Sequence, residues 1–160
     1  MALLGGRMRV KAARWSAPAF VALASVVCSP GSRPDPELRP DSVLRAELGL
    51  GDDDQVHRIE LAGADREIIT PAEVEIFGGH WVEFVTTDWR VHEVRFDPDS
   101  LTGEGLAFLV ASDQMESPPL VDRGARFVVS FAGAPEGRYP FVVEGNTPSS
   151  RGVVVVLPRR

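Results

Sequence analysis

The sequence predicts an all-β sandwich of seven or eight short strands, with Greek-key connections and one short helical excursion. Three features carry that prediction. Apolar and polar residues alternate over residues 80–86 (HWVEFVT) and 139–144 (YPFVVE), the period of a strand with one wet face. A β-branched run at 153–156 reads as a strand buried on both sides. Turn-forming stretches at 78–79, 134–137 and 145–150 separate these segments.

In chain order, the first 28 residues carry Arg7, Arg9, Lys11 and Arg14 with no acidic companion, and an apolar run follows from Trp15 to Cys28. This is the pattern of an export signal. The run of 14 residues is too short to span a bilayer as a mature helix. Two readings of its end stay open. Ala22-Leu23-Ala24 fits the small-x-small rule of signal peptidase, with Ser25 as the new N-terminus. Alternatively, Cys28 is a lipidation site, although Val27 stands where a small residue is expected. Beyond Cys28 the chain has no cysteine and therefore no disulfide framework.

Residues 29–40 hold four of the thirteen prolines and read as a tether. Residues 41–50 follow as a short helix, capped by Asp41, with Leu44 and Leu48 four apart and Gly49 at its end. Asp52-Asp53-Asp54 lacks the alternating ligands and distal carboxylate of a calcium loop and reads as a solvated acidic turn. The expected division is a signal at 1–28, a tether with its helix at 29–55, and a folded domain at 56–160.

Strands are expected at 56–61, at 67–70 and 73–77 on either side of Pro71, and at 80–86 and 92–96. Pro71 marks an edge or a bend. Ser100 is expected to cap a helix through Leu101, Leu106, Leu109 and Val110. Gly103 and Gly105 weaken it by about 1 kcal/mol each relative to alanine. Ser117-Pro118-Pro119 ends it, and strands at 126–131, from 139, and at 153–156 complete the sandwich.

The chain of 160 residues is 44% hydrophobic and 25% charged, an ordinary globular balance. Removing the basic leader takes the net charge from -6 to -10. So acidic a body argues against nucleic acid as partner and leaves a membrane role only to the signal or a lipid anchor.

Two motifs resemble the cupredoxins, the plastocyanin-like blue copper proteins. The first is the C-terminal stretch 138–157, where Tyr139, Phe141, Gly152 and the valine-rich closing strand match the family's ligand loop. Its ligands do not match. Val143 stands in the place of the cysteine, Asn146 in that of the histidine, and Ser150 or Arg151 in that of the methionine. The second is the stretch 75–99, where Gly79, Val82, Phe84, His92, Val94, Phe96 and Asp97 match. His92 falls at the first histidine ligand. The resemblance covers about two-thirds of the chain and implies a cupredoxin-like sandwich that kept one of its metal ligands.

A blue copper site needs a thiolate in its trigonal plane, and the mature chain has none. No cofactor is therefore expected. The alternative is copper binding or electron transfer through a thiolate-free site at His92, with partners drawn from His57, His80, Glu144 and Asn146. His80 is a poor partner, because the resemblance puts its turn at the far end of the sandwich. The plainer expectation is that His92 is either held over from a copper-binding ancestor or hydrogen-bonds the Asn146 loop, and that His57 and His80 are exposed turn and strand-end residues. No enzyme is expected: Ser149 and Ser150 can approach His92 in this frame, but no elbow motif or third partner accompanies them. Trp81 reads as packing. Trp89, three residues before His92, is either an exposed recognition anchor or a filler over the vacated pocket. The chain is thus expected to be an exported recognition module, periplasmic, secreted or lipid-anchored. It would bind an envelope protein or small ligand at its loop end through His92, Trp89 and Asn146.

Overall fold

A computed structural model describes residues 35–158. The expected export signal at 1–28, the alternative of lipidation at Cys28 and the expected tether up to residue 34 lie outside the described residues. Among the described residues no helix is long and apolar enough to cross a membrane.

Eight strands form two four-stranded sheets. They are β1 (Val56–Gly63), β2 (Glu67–Thr70), β3 (Glu73–Phe77), β4 (Trp81–Thr86), β5 (His92–Phe96), β6 (Arg126–Ser130), β7 (Gly137–Gly145) and β8 (Ser150–Leu157). One sheet runs β2-β1-β4-β6 and the other β3-β8-β7-β5. β1 pairs parallel with β4 and β3 with β8; the remaining pairs are antiparallel. The chain changes sheet between β2 and β3, at Pro71, where no ladder hydrogen bond has to be donated.

The inward faces meet in one core. Ile59, Leu61, Phe84, Phe96, Phe141 and Val143 are all fully buried in it. Phe141 stands edge-on to Phe84, with ring centroids 5.0 Å apart. This packing leaves room for hydrogen alone at Gly152. A Cβ there would collide with the Phe141 ring and lie 2.8 Å from the Ala72 carbonyl oxygen. That oxygen is fixed by the Val153 N–H at 2.9 Å. Gly152→Ala is therefore expected to destabilise by about 3 kcal/mol, the upper end of overpacking costs, read as the midpoint of urea unfolding. An unchanged midpoint would show that β8 shifts freely.

The helical excursion is α2 (Gly103–Ala111), and its cap differs from the expectation. Thr102, not Ser100, accepts from the Gly105 N–H. Residues Pro98–Ser100 are drawn instead into a 3-10 turn, where Asp97 accepts from Asp99 N–H and from the Ser100 hydroxyl.

The N-terminal helix α1 (Ser42–Leu48) forms as expected, with Asp41 accepting from the Val43 and Leu44 N–H groups and Gly49 ending it in the left-handed region. Two findings correct the reading of this N-terminal stretch. Pro36–Leu38 is a 3-10 turn, so part of the proline-rich stretch is ordered. The helix and the residues after it also pack: Leu44 and Leu50 join Val56, Trp81 and Val128 in a second apolar cluster. This cluster covers the outer face of β1, β4 and β6, which strand alternation alone would have left to solvent.

That outer face also carries Glu83, 1% exposed. Arg58 Nε donates to its Oε2 at 3.0 Å. Arg126 Nη1 lies 2.7 Å from its Oε1, near enough for an ion pair but not aligned for a hydrogen bond. The same Nη1 donates to Asp41 Oδ2 at 2.7 Å, and Arg58 reaches that carboxylate at 3.5 Å. Two arginines and two carboxylates thus clamp the cap of α1 to the sheet.

Candidate functional site

His92 opens β5 and is 0% exposed. Its backbone exchanges both hydrogen bonds with Leu120, at 3.0 and 2.9 Å, so the approach to β6 seals it on one side. Across β7 it faces Gly145. A Cβ on Gly145 would collide with the Val91 carbonyl and lie 2.6 Å from Glu67 Oε1, so only glycine lets the three chains come this close.

Both ring nitrogens are engaged by carboxylates. Nδ1 lies 2.6 Å from Glu67 Oε2 and Nε2 lies 2.8 Å from Asp88 Oδ1. Glu67 is buried at the start of β2, and its other oxygen accepts from the Thr147 hydroxyl at 2.5 Å. An ionised carboxylate only accepts hydrogen bonds. Both bonds therefore require an imidazolium, or a neutral ring beside one protonated carboxyl. In either form both ring nitrogens are consumed within the protein, and a metal at His92 would have to break one of these bonds.

Asp88 ties the triad to the loop between β4 and β5. Its Oδ2 accepts from Gly63 N–H at 2.7 Å and its Oδ1 from Arg90 N–H at 3.0 Å. Burial alone would raise the Asp88 carboxyl. The hydrogen bond from His92, those from Arg90 and Gly63, and the His92 charge outweigh it and hold the carboxyl at about 2. Next to this pinned residue, Trp89 is 74% exposed. Of the two readings of Trp89, the structure selects exposure over filling the pocket.

The other positions that the resemblance singles out lie as follows. Val143 is fully buried in the core, opposite Val94. Ser150 donates its hydroxyl to the Glu67 backbone carbonyl. Arg151 points away and pairs with Asp97 at 3.0 Å. Asn146 is exposed, one residue beyond the Gly145 that faces His92. The expected bond from His92 to the Asn146 loop is corrected: the loop reaches His92 through Thr147 and Glu67. Ser149 is exposed, and no bond brings it to His92. Glu144 pairs with Arg95.

The reading of His57 and His80 as separate exposed residues is also corrected. They stack with ring centroids 5.2 Å apart, and His57 Nε2 faces His80 Nδ1 at 2.9 Å. Among the described residues, no group of three or more His, Cys, Asp or Glu side chains is arranged to hold a metal ion.

Glu67 and Asp88 are the site residues that sequence reasoning missed. Asp88 carried one local signal, its place four residues before His92 in a loop. Glu67 carried none, because its contact with His92 depends on how β2 lies across the end of the sheet.

The two motifs occupy β4, β5, β7 and β8 of the two-sheet sandwich, and this is the cupredoxin-like arrangement that the resemblance implies. Neither a family model nor a curated protein matches the sequence. Solved structures do. A copper-containing nitrite reductase from Thermus scotoductus aligns with 69% of this chain and 24% of its own, at 20% identity and a TM-score of 0.49. The chain thus spans about a quarter of that reductase. A purple cupredoxin from Nitrosopumilus maritimus aligns over 63% of this chain and 99% of its own, at 21% identity and a TM-score of 0.42. A plastocyanin from the fern Dryopteris crassirhizoma aligns over 62% and 99%, at 20% identity and a TM-score of 0.45.

Proposed function

We propose that this chain is an exported recognition module in which an ion triad has taken the place of a type 1 copper site. The observation that carries the reading is the capture of both His92 ring nitrogens by Glu67 and Asp88. A copper ligand needs a free imidazole lone pair, and a blue site needs a thiolate as well. The triad instead fastens two loops without a cofactor: Asp88 holds the β4–β5 loop to the end of β1, and Thr147 ties the β7–β8 loop to Glu67. A rigid frame of this kind presents Trp89 to an envelope protein or small ligand at low entropic cost. The basic leader and apolar run that open the chain support export.

Copper titration of the untagged full chain, followed by electron paramagnetic resonance, tests this. The expected result is no blue band and no signal that depends on His92. Stoichiometric binding lost in His92→Ala would overturn the reading in favour of a rearranged, thiolate-free copper site.

A further inference from the structure

The geometry points to a cleft beside β5 that takes an arginine-bearing, extended peptide segment of a partner protein. The cleft holds about 600 Å³, room for a few peptide residues rather than a single ion. β5 alternates buried and exposed residues, so Glu93 and Arg95 stand on its outer face while His92 and Val94 point inward. The cleft is therefore separate from the His92 triad, and it does not rest on Trp89. Residues 115–120 run along the edge of β5. Met115 O accepts from Phe96 N–H at 2.9 Å, and Val94 O accepts from Ser117 N–H at 2.8 Å. Pro118 and Pro119, with no N–H to donate, interrupt this pairing before Leu120 rejoins His92. The two prolines and Phe127 of β6 supply the apolar part of the lining.

Four carboxylates, Glu93, Asp113, Glu116 and Glu144, line the cleft against one guanidinium, Arg95, a net formal charge of −3. This charge is left uncompensated in two ways. Glu93 and Glu144 are direct partners in the β5–β7 register, and like charges so placed repel. Arg95 stands in register with Glu116, yet it turns to Glu144, with Nη2 3.0 Å from Oε1. Among the described residues, the carboxylates of Glu93, Asp113 and Glu116 therefore have neither an ion pair nor a hydrogen bond. Ionised carboxylates only accept hydrogen bonds, and the prolines add no donor. The guest that fits is cationic and rich in donors. Arginine meets this better than lysine, because its planar fork bonds two carboxylate oxygens at once and its flat face stacks on an aromatic ring such as the half-buried Phe127. A cation beside Glu93 and Glu144 relieves the repulsion that the free chain carries.

The test is a nuclear magnetic resonance titration of the untagged full chain with a capped peptide of alternating alanine and arginine. Saturable shifts are expected at the amides of Glu93, Arg95, Asp113 and Glu116. Combining Glu93→Gln with Glu116→Gln should weaken binding about tenfold or more. Combining Glu60→Gln with Glu75→Gln removes the same charge from exposed positions outside the cleft, and should weaken it only about twofold. Glu93→Gln alone should raise the urea midpoint of the free chain while it weakens the peptide, since one carboxylate of the repelling pair is gone. Shifts scattered over the whole acidic surface, shifts that do not saturate, or equal losses in the two double variants would each overturn the site. A lysine counterpart that binds as well as the arginine peptide would overturn the choice of arginine. Arginine amide binding as tightly as the peptide would replace the peptide with a small cation. If a glutamine variant does not fold, the map of shifts on the unaltered chain decides. Each outcome can occur whether or not the proposed role of the His92 triad holds.

Discussion

His92→Ala is expected to destabilise the chain by about 3–5 kcal/mol, the cost of removing one partner from a buried ionic group. Glu67 and His92 are both essentially inaccessible to water, and each ring nitrogen satisfies a carboxylate oxygen. Alanine removes both donors at once. Glu67 then keeps only the Thr147 hydroxyl on its side chain, and Asp88 only backbone N–H groups. The measurement is urea unfolding at neutral pH. A loss below about 1 kcal/mol, the worth of a single ordinary hydrogen bond, would mean that the triad is not a structural centre.

The same triad sets an acid limit. The Asp88 carboxyl lies at about 2 in the folded chain against an ordinary 3.8, so folding favours its ionised form. Its contribution is present above pH 3.8 and is lost as pH falls through about 2. By linkage it amounts to roughly 2 kcal/mol. Asp88→Asn should therefore be less stable than the unaltered chain at neutral pH, and the gap should close in that acid window. A gap constant down to pH 2 would assign the loss to shape and not to charge.

Arg126→Ala is expected to have an effect of similar size, about 3–5 kcal/mol, for a different reason. Arg126 Nη1 serves two carboxylates, Asp41 and the buried Glu83, each at 2.7 Å. Without it, Glu83 retains Arg58 alone, and Asp41 keeps α1 capped with only the distant Arg58 to offset its charge. Asp41 lies below the ordinary carboxylate range chiefly because the Leu44 N–H donates to it, so the cap itself should survive. The predicted failure is detachment of the N-terminal segment from the sheet. Proteolysis should then cut near residue 50 at a denaturant concentration where the sandwich still holds. The charge-free swap Glu83→Leu should cost far less than Arg126→Ala, because it leaves no buried charge behind and Arg126 keeps Asp41. Equal costs for the two variants would argue that packing, not charge, governs this face.

Some of this was legible in the sequence for a physical reason: strand period and turn chemistry are local. Alternation located β4, β5 and β7, the valine run located β8, and Pro71 marked an edge or bend, which is where the chain changes sheet. Asp41 and Gly49 announced both ends of α1 through capping, which is also local. The absence of cysteine after Cys28 needed only composition. Local patterns failed where a neighbour far along the chain decided the outcome. Alternation put Glu83 opposite the core, and that was right for the core; it is buried because residues 35–50 cover that face. Glu67 is an ordinary strand-start residue by pattern, and becomes a partner of His92 because 25 residues of chain return it to the same end of the sandwich.

The sequence by itself therefore pointed to a two-sheet β-sandwich whose body carries no cysteine after Cys28, since strand period and composition are written residue by residue. Only the tertiary structure decided what holds the His92 ring. Burying an imidazole requires acceptors for its nitrogens, and which carboxylates supply them depends on long-range strand order, which local spacing does not encode.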